Sequence, residues 1–302
     1  MPSYPVERGL TSRTGRAAVA IDGTLRERFD VVAAGRRLAV EALRPTLARD
    51  DGGDDAGPTS LVFLHEGLGC IPMWRDFHAR LCARLRLPGI VYDRWGYGGS
   101  EPLDRPRHRR YLHDEAEVFL PALLDALGVD RPVVLVGHSD GGTIALLHAA
   151  ACPNRVAALV TIAAHVLVEE VTLAGIRETV ASYERGDLAR RLARRHGAST
   201  EAVFRAWADT WLAPWFRDWN VEDRLPLVRA PALVVQGEAD AYATRHQVEA
   251  IVRGVGGPVR PLLLPGLGHA PHLEAPDLVI DALAAFVLAA LAGGVRRQEP
   301  AG

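Results

Sequence analysis

The chain of 302 residues contains no lysine: all 35 basic residues are arginine. Without an ε-amine there is no internal Schiff base, which excludes pyridoxal-phosphate and class I aldolase chemistry. The P-loop lysine is missing with it. Cysteine is scarce as well. Cys70, Cys82 and Cys152 are odd in number and scattered. They form neither a zinc nor a redox spacing, and a reducing cytosol is the simplest setting. No pair of histidines has convincing metal spacing. Neither sign of charge dominates, the net being −2, so nothing points to nucleic acid or a membrane surface. The opening "MPSYPVERGLTSRTGR" lacks an apolar h-region, and no segment reads as long as a membrane span. The expectation is a soluble, cytoplasmic protein that takes a small-molecule substrate, with no metal or cofactor, no nucleic acid and no membrane. Self-association into a homo-oligomer is left open.

What is present is apolar and rhythmic. Hydrophobic residues make up 48% of the chain, enough for a sizeable core. Residues 1–26 are polar and are expected to be irregular. Residues 29–43 read as a β-hairpin turning near Gly35. Residues 49–60 form an acidic, glycine-rich loop, read as a solvated connector rather than a cation site. From residue 60, short continuous apolar runs alternate with helical stretches: "SLVFLH", "GIVYD", "PVVLVG", "VAALVTIAA", "PALVVQG" and "VRPLLLPG". Strands apolar along their length, alternating with helices, imply a parallel sheet covered on both faces. The fold class is therefore α/β: a three-layer sandwich with a mostly parallel sheet. Between His165 and Leu225 the rhythm stops and the pattern is helical. The division read from this is a core of residues 1–164 and 226–302, with an inserted helical cap over 165–225.

Ligands of open parallel sheets bind beyond the carboxyl ends of the strands, so the residues after each run matter most. After "PVVLV" comes Gly137-His138-Ser139-Asp140-Gly141, a G-x-S-x-G turn between strand and helix. Such an elbow exposes a strained serine, and flanking glycines let strand and helix approach. A serine needs a base oriented by an acid. Asp240 ends one late run and His269 follows another, in the order Ser…Asp…His. Glu238 rivals Asp240, and His272 rivals His269, which is preferred for its closeness to the strand. An oxyanion requires backbone donors. The N–H of Asp140 is one, and Gly67, with Leu68 as the alternative, is the other.

With these motifs in view, the chain resembles the α/β-hydrolase superfamily. The matches are "HEGLG" at 65–69, "DRWGYGGS" at 93–100, "GHSDGG", "GEAD" and "LGHAPHLEAP". They look most similar to the capped subset that includes meta-cleavage-product C–C hydrolases, enol-lactonases and biphenyl-hydrolase-like esterases. The resemblance implies cofactor-free catalysis through Ser139, His269 and Asp240. One position departs from the pattern: Glu66 stands where the oxyanion loop usually has glycine. It either turns away to its neighbours or borders the pocket. Asp140 presents the same choice. Its carboxylate is read as bonded to nearby backbone or an arginine. The rival reading, prompted by Ser-Asp-Gly-Gly elbows in the biphenyl-hydrolase-like group, aims it at an amine-bearing acyl group.

Trp207, Trp211, Trp215 and Trp219 recur every four residues, with Pro214 expected to begin a second short helix. Packing is the favoured role, with Trp207 and Trp211 also candidates for a pocket wall. Trp74, just past the oxyanion loop, is a further candidate for substrate contact. Three activities follow: cleavage of an ester, lactone or thioester; C–C cleavage of a ring-fission product, which needs an arginine such as Arg75, Arg177 or Arg205 for a carboxylate; or ligand binding without catalysis.

Overall fold

The structure is a computed structural model that describes residues 19–21, 23–47 and 59–295. Nine strands form one sheet: β1 (Val19–Ile21), β2 (Thr24–Ala33), β3 (Arg36–Pro45), β4 (Leu61–Leu64), β5 (Gly89–Tyr92), β6 (Val133–His138), β7 (Val156–Ile162), β8 (Ala232–Gly237) and β9 (Val259–Leu264). Their order is β1-β2-β3-β5-β4-β6-β7-β8-β9. From β5 to β9 every pairing is parallel, while β1, β2 and β3 are antiparallel. The burial patterns explain the split. β4, β5, β6 and β8 are buried at every residue, as strands covered on both faces must be. β2 leaves most of its residues at least partly open to solvent. The β2–β3 turn is Ala34-Gly35, both with positive φ (50° and 72°), which suits a two-residue hairpin.

The helices are α1 (Phe77–Leu85), α2 (Tyr111–Asp114), α3 (Leu120–Ala126), α4 (Asp140–Ala151), α5 (Glu170–Glu184), α6 (Asp187–His196), α7 (Thr200–Leu212), α8 (Arg245–Gly254), α9 (Pro271–Glu274) and α10 (Pro276–Val295). Successive strand residues point to opposite faces. Leu61, Phe63, Val134 and Val136 pack with Phe77 and Leu81 of α1 and with Val279, Leu283 and Val287 of α10. Val62, Leu64 and Leu135 pack on the other side with Leu112, Leu123, Ile144 and Val248. The result is the expected three-layer sandwich. β4 leads to β5 on one side, and β5 crosses back to β6 on the other. The chain therefore reverses at β4, and such a switch point opens a crevice beyond the strand ends.

Between β7 and β8 stand α5, α6 and α7, followed by 3-10 turns at Pro214–Phe216 and Glu222–Leu227. Pro214 starts the first of these turns, ending the run of α7 as its missing N–H requires. The segment is pinched at its base by the antiparallel bridge Leu167↔Asn220 and by the 2.8 Å bond from Val221 N–H to Val166 O.

Two expectations change, and one falls outside the described residues. β1, the turn at Gly23 and the start of β2 fall within the stretch expected to be irregular; the rest of that stretch lies outside the described residues. So does most of the acidic loop, with its cation-site reading. Finally, α10 is long and apolar enough over Pro276–Gly293 to cross a membrane by length and composition. The sequence reading finds no segment as long as a membrane span. In the fold it packs against the sheet through one face.

Candidate active site

Ser139 follows β6 directly. Its φ of 52° and ψ of −118° put it in the strained region that an elbow requires. The glycines around it have no room for a side chain. A Cβ on Gly137 would lie 2.1 Å from Gly141 O, and one on Gly141 would lie 1.9 Å from Leu64 O. A Cβ on Gly142 would meet that of Ala164 at 2.8 Å. The motif thus records the contact of α4 with β4, β6 and β7.

Asp240 and His269 come from the loops after β8 and β9. His269 Nδ1 lies 2.9 Å from Asp240 Oδ1 and 2.9 Å from Oδ2. Asp240 Oδ1 also accepts the Tyr242 N–H at 2.8 Å. Burial alone would raise the Asp240 carboxyl, but the hydrogen bond and charge of His269, with the Tyr242 N–H and His165, together hold it below its ordinary value. Glu238 is exposed. His272, on α9, is buried between Trp74 and His138, with ring centroids 5.2 and 4.6 Å away. Its partners are rings, not a carboxylate, so His269 alone of the two has an acid.

A cavity of about 110 Å³ lies over Ser139 and His269. Glu66, Gly67, Leu68 and Asp140 line one side, and Thr172, Ile176, Trp207 and Trp211 line the other. The N–H groups of Gly67, Leu68 and Asp140 have no acceptor among the described residues. Asp140 is the first residue of α4, where a backbone donor is free by construction. Trp207 lies against Gly67, whose hypothetical Cβ would sit 2.4 Å from the indole Cδ1 and Nε1.

The two unusual carboxylates are both anchored. Asp140 Oδ2 accepts from Tyr111 OH at 3.0 Å and faces Arg94 Nη2 at 3.5 Å. Trp211 Nε1 in turn donates to Tyr111 OH at 2.9 Å. Arg94 also donates to Glu66 O at 2.9 Å and is fully buried. Glu66 borders the cavity while its Oε2 pairs with His138 Nδ1 at 3.5 Å. Burial would raise the Glu66 carboxyl, but the neighbouring His138 draws it down to about 2.

The turn "DRWGYGGS" is structural. Asp93 accepts from Ile71 N–H at 2.6 Å and from Gly99 N–H at 2.8 Å. Trp74 is corrected. It does not reach the cavity but lies in the core, 5.4 Å from Phe63 and stacked on Phe77. Arg75 at φ 54° breaks the chain between the 3-10 turn Ile71–Trp74 and α1, and this turns the indole inward. Arg75, Arg177 and Arg205 do not line the cavity either. The sequence reading missed His165, Thr172, Ile176 and Tyr242, which do. His165 stands three residues past β7, so the strand-end rule would have found it. Its Nε2 bonds to Tyr242 O at 3.1 Å, and Thr172 Oγ1 donates to the same oxygen at 2.6 Å, tying α5 to the Asp240 loop.

Residues 61–282 match the model of the alpha/beta hydrolase family. The chain belongs to that family. It is 30% identical over 205 residues to the mouse serine hydrolase BPHL, covering 62% of this chain and 65% of that one. It is also 30% identical over 248 residues to the dihydrolipoyllysine-residue acetyltransferase component of an acetoin cleaving system from Pseudomonas putida, with coverages of 76% and 64%. The chain thus spans just under two thirds of these relatives. Among solved structures, a serine hydrolase involved in carbazole degradation superposes with a TM-score of 0.67 at 19% identity, covering 87% of this chain and 98% of that one. A proline iminopeptidase from Mycobacterium smegmatis gives 0.65 at 23%, with coverages of 88% and 99%. At these identities the likeness extends to the fold.

Proposed function

We propose that the protein is a serine hydrolase that cleaves a carboxylic ester, lactone or thioester. The observation that carries this reading is a single one: His269, paired through Nδ1 with both oxygens of Asp240, shares a cavity with the strained Ser139. Ser139 Oγ attacks the carbonyl carbon and passes its proton to His269 Nε2. Asp240 fixes the tautomer that leaves Nε2 free to accept it. The negative oxygen is held by the N–H groups of Asp140 and Gly67. Collapse breaks the bond to the leaving group, which takes the proton from His269. Water, deprotonated by the same histidine, then releases the acid from Ser139. Residues 165–225 act as the cap, and Trp207, Trp211, Ile176 and Thr172 close the acyl side.

Cleavage of a C–C bond in a dienoate calls for a cation beside the substrate carboxylate. Among the described residues the cavity lining carries Glu66 and Asp140 and no arginine, which favours the ester reading. The test is a fluorophosphonate probe together with p-nitrophenyl esters of graded chain length, assayed beside a dienoate ring-fission product. Labelling of Ser139 and turnover of the esters is expected. A thousandfold preference for the dienoate, about 4 kcal/mol in transition-state binding, would replace this reading with C–C cleavage. Absence of labelling would make the chain a binding protein on a hydrolase scaffold.

A further inference from the structure

The glutamate of the loop after β4 and the histidine before Ser139 meet behind the site. The Glu66 carboxylate folds over its own loop, so that a Cβ on Gly69 would lie 2.4 Å from Oε2 and 2.9 Å from Oε1. From there Oε2 faces His138 Nδ1 at 3.5 Å. Across the same ring, His138 Nε2 lies 2.9 Å from the main-chain oxygen of His269. A carbonyl oxygen only accepts, so His138 donates from Nε2. The His138 Nδ1 has no hydrogen-bond partner among the described residues, and the Glu66 carboxylate, drawn down to about 2, is the charge it faces. The other titratable groups around the ring are His269, 5.1 Å away between centroids, and His272, 4.6 Å away, which burial keeps neutral. On the far side of His269, Glu274 accepts from Gly268 N–H at 2.7 Å and from Ala270 N–H at 3.1 Å. The N–H groups of both residues flanking His269 are therefore held, and its own carbonyl has His138 as its partner.

We propose that Glu66 and His138 form a clamp that positions the catalytic histidine. Glu66 sets the orientation of the His138 ring, and His138 holds the His269 main chain at the height from which Nε2 meets Ser139. The clamp joins the ends of β4, β6 and β9. It gives a reason for an acid where a glycine is usual, and for the glycine at position 69 that makes room for it. His138 is a positioning residue: it does not line the cavity. The proposal rests on the serine-hydrolase reading for its kinetic consequence but not for its structural one.

Both consequences are measured on the full chain. The variants are H138A, H138Q, E66A and E66Q. Glutamine at position 138 keeps a donor for the His269 oxygen, and glutamine at position 66 keeps a polar side chain of the same length facing His138 Nδ1. H138A is expected to lower kcat on a p-nitrophenyl ester by about 10- to 100-fold, since displacing a reacting group by about 1 Å costs that much. KM should stay within about twofold and the melting temperature should be little changed. H138Q should recover most of the loss, and E66Q should exceed E66A. The second measurement is the His269 Nδ1 proton resonance at Asp240, which needs no turnover. It should be sharp in the wild type and in H138Q, and broadened in H138A and E66A. An inactive wild type with that pattern of resonances would overturn the serine-hydrolase reading and leave the clamp standing. The clamp is overturned if the resonance is equally sharp in H138A, if H138Q is no better than H138A, or if losses of kcat simply follow losses of melting temperature.

Discussion

The two halves of the cavity are built by different means. Its floor stands on the ends of β4, β6, β8 and β9, and main-chain contacts hold it. Gly137, Gly141 and Gly237 each have backbone atoms within 2.2 Å of where a Cβ would be. Its roof is made of side chains from α5 and α7, held by ring packing. Trp211 lies 5.1 Å from Phe216 and 5.6 Å from Trp219, and Tyr183 stacks on Phe204 at 3.7 Å. A backbone contact tolerates no added atom, whereas an aromatic wall can be repacked at modest cost. The floor should therefore govern whether a reaction occurs, and the roof should govern which substrate undergoes it.

Removing the nucleophile tests the floor most severely. Ser139→Ala should lower kcat by about 10⁴-fold or more, measured on short p-nitrophenyl esters with binding retained. Ester cleavage persisting in a clean preparation of this variant would separate the elbow from the chemistry. Next comes the scaffold itself. Gly141→Ala drives a methyl into Leu64 O and should cost about 3 kcal/mol of stability, or prevent folding, by thermal or urea unfolding. A variant as stable as the wild type would show that α4 can back away from β4, and the rigidity assigned to the floor would be lost.

The roof should respond differently. Trp207 is buried, lines the cavity and covers Gly67. Trp207→Leu should open the acyl side and move the preferred chain length upward. The ratio of kcat/KM for a long ester over a short one should rise about tenfold, the worth of one or two methylenes in an apolar pocket. A uniform drop across all chain lengths would place Trp207 with the floor instead.

The same division decides what could be read from the sequence. The floor was legible because its constraints are local. An elbow must be small around its serine, and the acid and base must follow strands, so Ser139, Asp240 and His269 could be placed by counting from apolar runs. The sheet was legible because strands covered on both faces are apolar throughout. The roof depends on which helix faces point down, and that is fixed by packing between distant segments. Thr172 and Ile176 are ordinary helix residues until α5 is set against the Tyr242 loop. Trp74 shows the reverse error: nearness in sequence to Gly67 suggested the pocket, but the turn at Arg75 sends it to the core. Whether the carboxylates of Glu66 and Asp140 face in or out depended on Arg94, Tyr111 and His138, partners that no short motif contains.

Asp140 offers the finest test, because it belongs to both halves. Its N–H is part of the floor, and its carboxylate is linked through Tyr111 to Trp211 of the roof. With Oδ2 engaged by Tyr111 and beside the fully buried Arg94, the charge is already answered within the protein. Asp140→Asn retains the N–H and an oxygen for Tyr111, so the loss in kcat/KM should be alike for amine-bearing and neutral esters, with the two losses agreeing within about threefold. A loss ten times greater on the amine-bearing ester would mean that the carboxylate reads the acyl group directly. That result would move substrate selection from the side-chain roof to the elbow and remove the distinction between the two halves at this position.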